Sequence, residues 1–282
     1  MRVLLWALVL LVCGCSHDPA TETADGPRIV SLSPAASIML REAGVEGSIV
    51  GRHGWDATLD QRIPVAGDQT GLDYERLITL DPSHIVIEWG AREIPPRLQS
   101  LAAARGITLI PVETLTLEDI AASWQRVAEA FGTDPERIDL SAFRRRSDRR
   151  DAWGSVLLVV SSSPTFDCLG PGSAHHQLLV LAGFEPALGD GAPWVSLDLE
   201  DVIRLDPACI AIIQPGSESD DRAAPLLSRL GPLADTDVRA VRLGRVVLID
   251  DESALIPSTN LAEIAGQIAD KLAALGPLPS PP

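Results

Sequence analysis

The chain carries one seventeen-residue pattern twice, once in each half. Residues 72–88 read LDYERLITLDPSHIVIE and residues 197–213 read LDLEDVIRLDPACIAII, identical without a gap at nine of seventeen positions and offset by 125 residues. Other pieces return in the same order. VSLSP at 30–34 comes back as VSSSP at 160–164, and Ala43-Gly44-Val45-Glu46 as Ala182-Gly183-Phe184-Glu185. Solenoid repeats run to about 20–50 residues, so an offset of this length excludes them. The spacing fits two similar lobes, each expected to hold its own core. A cleft between two lobes is a preferred seat for a small ligand.

The N-terminal stretch stands outside that plan. Arg2 precedes an apolar run over residues 3–12, ten residues long. That is too short to span a bilayer as a helix but suits the apolar part of a secretory signal. Gly14-Cys15 follows, and small residue then Cys at this place resembles the cleavage site of bacterial lipoproteins. The resemblance makes residues 1–14 a signal peptide and Cys15 the acylated N-terminus. Residues 15–26 are polar, acidic and free of large apolar side chains, a flexible lipidated tether. The balance of 23 basic against 39 acidic residues gives a net charge of −16, without the basic excess expected of a nucleic-acid binder. Beyond the signal no apolar run is long enough to cross a membrane. Cys168 and Cys209 are expected to be free thiols, the first in a loop and the second in a strand.

The remaining length divides into an N-terminal lobe over 27–116, an interdomain helical segment over 117–153 and a C-terminal lobe over 154–282. In the first lobe, short β-branched runs at 28–32, 48–51, 84–87 and 107–112 alternate with helical patterns opening at Ser33-Pro34 and covering 74–80 and 96–105. In the second, strands are expected at 155–161, 209–213 and 246–249, with helices at 174–181, 199–205 and 259–275. Alternating strands and helices make an α/β protein with parallel sheets covered on both faces, hence two three-layer αβα lobes. The connecting segment reads as two helices, 117–131 and 135–153. The second carries Arg144, Arg145, Arg146, Arg149 and Arg150, a solvated face in the ordinary reading.

Ligands of open α/β sheets sit outside the carboxyl ends of the strands. Trp55, Trp89 and Trp194 fall in such places, and three tryptophans from both lobes suit a large flat ligand. Trp124 and Trp153 sit on helical patterns and are expected in the core. His53, close to Trp55, is the best histidine candidate for a ligand contact. His84 is expected to make an ordinary hydrogen bond at the start of a strand. His175-His176 point about 100° apart on a helix, poorly placed to grip one metal; one of them facing the cleft is the alternative to the ordinary surface position. Nucleophile elbows, zinc-protease motifs and phosphate-binding loops are absent from the sequence. The chain therefore reads as a binding protein, not an enzyme, with no metal or cofactor of its own. Glu75 and Glu200 hold the same place in the half-repeat. They are either favourable carboxylates at helix starts or paired contacts for a two-fold symmetric receptor.

From residue 27 to 275 the chain resembles the periplasmic substrate-binding proteins of ABC importers for iron-siderophores, haem and cobalamin. The motifs that carry this are RIVSLSPAAS, LDYERLITLDPSHIVIE, VSLDLEDVIRLDP and GRVVLID. The resemblance is nearest to the cobalamin-binding branch. It implies a class III binding-protein fold with the lobes joined by a long helix. It implies ligand contacts at Trp55, Trp89, Trp194 and Asp250, with Phe166 beside Asp167, where the branch has an aromatic. It also implies docking of Glu75 and Glu200 on a permease homodimer that works with an ATPase. Gln69 and Ala254 depart from the branch, which has Trp and a basic residue there. The expected protein is an extracytoplasmic, lipid-anchored monomer that binds a corrinoid and no nucleic acid. A ferric siderophore or haem is the alternative ligand; a sensor or adhesin lipoprotein and an enzyme on the same scaffold are the remaining ones.

Overall fold

Ile29–Leu32 (β1) seeds the first sheet, with all four residues buried. Ser33 then turns the chain. Its extended backbone and its Oγ, accepting from Ala35 N and Ala36 N, cap α1 (Pro34–Glu42), and Pro34 fits the first turn because its missing N–H is not needed there. The computed structural model describes residues 26–68, 70–90, 92–144, 147–148, 150–216 and 226–279. The signal peptide, Cys15, the tether up to residue 25, Gln69, Arg145, Arg146 and Arg149 lie outside these. The lobe continues through β2 (Ile49–His53), β3 (Val65–Asp68), β4 (Gly71–Leu72), α2 (Tyr74–Leu80), β5 (His84–Glu88), α3 (Pro96–Arg105) and β6 (Thr108–Val112). The strand order is β4-β3-β2-β1-β5-β6, parallel throughout except for the short β4 edge.

Helix α4 (Leu117–Ala130) leaves this lobe behind a reciprocal cap between Thr116 and Asp119. The described residues of 135–153 do not form the expected second helix. Short 3₁₀ turns stand there instead, at Pro135–Arg137, Leu140–Phe143 and Asp151–Trp153. Asp134 and Asp139 accept from the backbone N–H of Glu136 and Ser141, at 2.9 and 2.8 Å. Such local side-chain bonds compete with helical ones.

The second lobe contains β7 (Ser155–Ser161), β8 (Phe166–Leu169), α5 (Ala174–Leu181), β9 (Glu185–Pro186), β10 (Trp194–Leu197), α6 (Leu199–Leu205), β11 (Cys209–Ile213), α7 (Arg239–Arg242), β12 (Val246–Ile249) and α8 (Leu261–Ala274). Its order is β10-β8-β7-β11-β12, with β9 also beside β7. β7, β11 and β12 are parallel as expected, but β8 runs antiparallel to β7 and β10 antiparallel to β8, so the sheet is mixed. Cys168 is thus in a strand. Both cysteines are buried free thiols, and burial pushes Cys168 up to about 12.

Strand alternation sorts the core. In β5, Ile85 and Ile87 face a cluster with Leu77 and Leu98, private to lobe one. In β11, Ile210 and Ile212 face one with Val202 and Leu230, private to lobe two. The opposite faces, Val86 in β5 and Ala211 and Ile213 in β11, belong to one continuous cluster that also takes in α1, α4, α5 and α8. The two lobes therefore share a core as well as having their own. Leu117 N donates to Gln177 Oε1 at 2.7 Å and Ser258 Oγ to Ala35 O at 2.8 Å, binding the lobes across the same seam.

Candidate functional site

A cavity of about 720 Å³ opens between the lobes. Lobe one supplies Glu88 at the end of β5, Glu113, Thr114 and Leu115 after β6, and Asp119 of α4. Lobe two supplies Leu169 of β8, Ser173, Ala174 and His175 at the start of α5, and Pro193-Trp194, with Leu255 and Pro257 closing the wall. The strand ends of lobe one point here, where open α/β sheets hold ligands.

Glu88 is fixed in place. Ser33 Oγ donates to its Oε2 at 2.5 Å, and Thr114 Oγ1 donates to its Oε1. Behind it, Ser37 Oγ donates to Asp56 Oδ2 at 2.6 Å, and Thr58 donates twice to Asp56 Oδ1. The apolar side is different in character. Leu115 is 57% exposed and Trp194 52%, one from each lobe, and both line the cavity. Large apolar side chains left open on a concave wall are what a ligand covers.

Among the described residues the lining includes three carboxylates, Glu88, Glu113 and Asp119, and no lysine or arginine. His175 is buried, and its Nε2 lies 2.7 Å from the carbonyl oxygen of Ala254. Burial lowers its pKa, as it does for His53 and His84. In the ordinary histidine range the unfolded chain therefore takes up protons that the folded chain refuses. Stability is fully present above that range and is lost as pH falls through it. His175→Gln keeps a donor for the Ala254 carbonyl and removes the titration. Its unfolding free energy should fall less steeply than wild type between about pH 7 and 5. Urea melts across that range check this; identical slopes would mean that His175 does not titrate on unfolding.

The tryptophans predicted at the cleft separate. Trp194 lines the cavity and opens the edge strand β10 rather than sitting in a loop. Trp89 does not line it. It packs against the lobe-one core with the Arg92 guanidinium 4.3 Å from its ring centre, and its neighbours Glu88 and Gly90 reach the cavity instead. Trp55, 65% exposed on the turn after β2, also stays outside the lining. His53 is buried beside it, ring edge to ring face at 5.9 Å, with Nδ1 accepting from Trp55 N at 3.2 Å. Asp250, at the end of β12, pairs with Lys271 at 3.3 Å and is not on the wall. Phe166 corrects the sequence reading outright: it is 2% exposed in the lobe-two core, because β8 turns that face inward.

His84 bonds Ser83 Oγ through Nδ1 at 2.8 Å. Of the His175-His176 pair, His175 is the one on the cleft side, buried on the cavity wall, and His176 is half-buried with Nε2 3.0 Å from the Leu188 carbonyl oxygen. Glu88 was not singled out by sequence. The signal was present, since it is the position where the two copies of the repeat end differently, Glu88 against Ile213. Glu75 and Glu200 are both exposed on the first turns of α2 and α6, away from the cavity lining. Among the described residues no group of three or more His, Cys, Asp or Glu side chains could hold a metal ion, and no helix is long and apolar enough to cross a membrane.

No family model matches the chain. It is 26% identical over 201 residues to the vitamin B12-binding protein of Salmonella typhimurium, covering 68% of this chain and 74% of that one. It is 20% identical over 270 residues to the uncharacterized ABC transporter substrate-binding lipoprotein YvrC of Bacillus subtilis, covering 91% and 83%. The fold matches a periplasmic heme-binding protein of Pseudomonas aeruginosa with TM-score 0.66 at 22% identity, over 90% of this chain and 96% of that one. It matches the periplasmic vitamin B12-binding protein BtuF of Vibrio cholerae with TM-score 0.60 at 17% identity, over 89% and 98%. The fold is thus that of the class III periplasmic binding proteins, and the relatives are binding proteins rather than enzymes.

Proposed function

We propose that the chain is the substrate-binding protein of an ABC importer and that it carries a corrinoid, cobalamin or cobinamide, in the cavity between its lobes. The observation that carries this is the wall: among the described residues it has apolar side chains and three carboxylates, without lysine or arginine. A corrin edge bears amides, whose N–H groups are donors for carboxylate oxygens. Its broad faces suit Trp194 and Leu115. Haem presents propionates and many ferric siderophores are anionic, so the same carboxylates repel them. Haem is the second reading, favoured by His175. A neutral imidazole held through one nitrogen by a carbonyl is oriented as metal-ligating histidines are.

On this reading the protein is a monomer outside the cytoplasm, held at the membrane through Cys15. It delivers ligand to a permease homodimer coupled to an ATPase. Glu75 and Glu200 are its two docking carboxylates. Titrations that follow tryptophan fluorescence, with cyanocobalamin, dicyanocobinamide, haemin and a ferric catecholate siderophore, test the ligand. Saturable quenching by the corrinoids at micromolar concentration is expected. Saturation by haemin or the siderophore alone would overturn the corrinoid reading.

A further inference from the structure

Two of the large apolar side chains left in solvent occupy the same place in the two lobes. Ile78 in α2 is 41% exposed and Ile203 in α6 is 45% exposed. They are aligned in the repeat at the same offset of 125 residues that aligns Glu75 with Glu200. Three residues apart on a helix, each glutamate and its isoleucine share a face. We propose that Ile78 and Ile203 are paired apolar anchors, each seated with its neighbouring glutamate on one of two identical sockets of a homodimeric membrane partner. The inference rests on the importer reading and adds to it the apolar half of the docking surface.

Folding does not account for the pair. The buried residue of each helix differs between the copies, Leu77 against Val202, while the exposed Glu and Ile are the same. A β-branched apolar residue is a middling helix former, and leaving it in water has no folding benefit. The platform under it is also duplicated. Each helix ends on an aspartate in the left-handed region, Asp81 at φ 44° and Asp206 at φ 43°, a strained conformation for a residue with a Cβ. Each aspartate is clasped by an arginine, Arg105 at 3.5 Å and Arg239 at 3.1 Å. Two equivalent helices present the same chemistry twice. A partner built from two identical subunits offers the matching pair of surfaces. Each matching surface is an apolar depression beside a basic residue. A second copy of this chain fits poorly, since a symmetric contact would bring glutamates of two chains of net charge −16 together.

Photo-cross-linking in the native cells tests the surface without reference to ligand. Para-benzoylphenylalanine in place of Ile78 or of Ile203 is expected to trap one and the same integral membrane polypeptide. Leu243, which is exposed but unpaired in the repeat, serves as the control position. Different polypeptides from the two positions, a cross-linked pair of this chain, or yields no higher than at Leu243 would overturn the proposal. Uptake of radiolabelled cyanocobalamin gives the second arm. Ile78→Ser and Ile203→Ser should each lower it about ten-fold, Ile→Val should restore most of it, and purified variants should bind cyanocobalamin as wild type does. Normal uptake in the double serine variant sinks the anchors and leaves the importer reading standing. If wild type neither binds nor imports cyanocobalamin, the corrinoid reading falls and the cross-links alone decide the anchors.

Discussion

Trp194→Ala is expected to weaken cyanocobalamin binding ten- to a hundred-fold, about 1–3 kcal/mol, with the fold intact. The ring is half exposed on the cavity wall, so its removal takes little from the folded protein and much from the complex. The strand beneath it survives, because β10 is held to β8 by backbone pairing from Trp194–Leu169 to Leu197–Phe166. Trp89→Ala should behave in the opposite way. Trp89 packs on the lobe-one core under Arg92, so its loss should lower stability more than affinity. Calorimetric titration beside thermal melting separates the two effects. Unchanged affinity in Trp194→Ala, with a loss in Trp89→Ala, would mean that ligand occupies a different surface from this cavity.

Trp124→Ala should cost about 3–5 kcal/mol of stability, the range for deleting a large buried aromatic. Trp124 is 1% exposed in the cluster shared by both lobes, and its Nε1 donates to the Pro135 carbonyl at 2.7 Å. Truncation leaves a cavity and strips that carbonyl of its donor. A domain is stable by only about 5–15 kcal/mol, so a large share of the total is at stake. The position also couples the lobes. Since one core runs through both, wild type should unfold in a single transition, and the variant should lower that transition as a whole. Urea unfolding followed by circular dichroism checks both points. A loss below about 1 kcal/mol, or two separate transitions in wild type, would show that the lobes stand independently.

The sequence by itself determined the elements whose causes are local. Helices α5 and α6 and strands β11 and β12 fall at the residues where caps, apolar runs and turn residues place them. The duplication, legible as an offset of 125 residues, marks two lobes and pairs Glu75 with Glu200. Tertiary structure decided what depends on partners distant in the chain. Whether the strand at Phe166 faces core or cleft follows from its antiparallel pairing with β7, which a four-residue run does not encode. Whether Trp89 or Glu88 lines the cavity turns on one step along the chain, since neighbours in an extended segment point to opposite faces. His175 sits on the cavity wall bonded to the carbonyl of Ala254, 79 residues away, a partner that no local pattern encodes. Period and capping are properties of a few consecutive residues. A cavity wall belongs to surfaces that meet only after folding, so its membership is set by packing between segments.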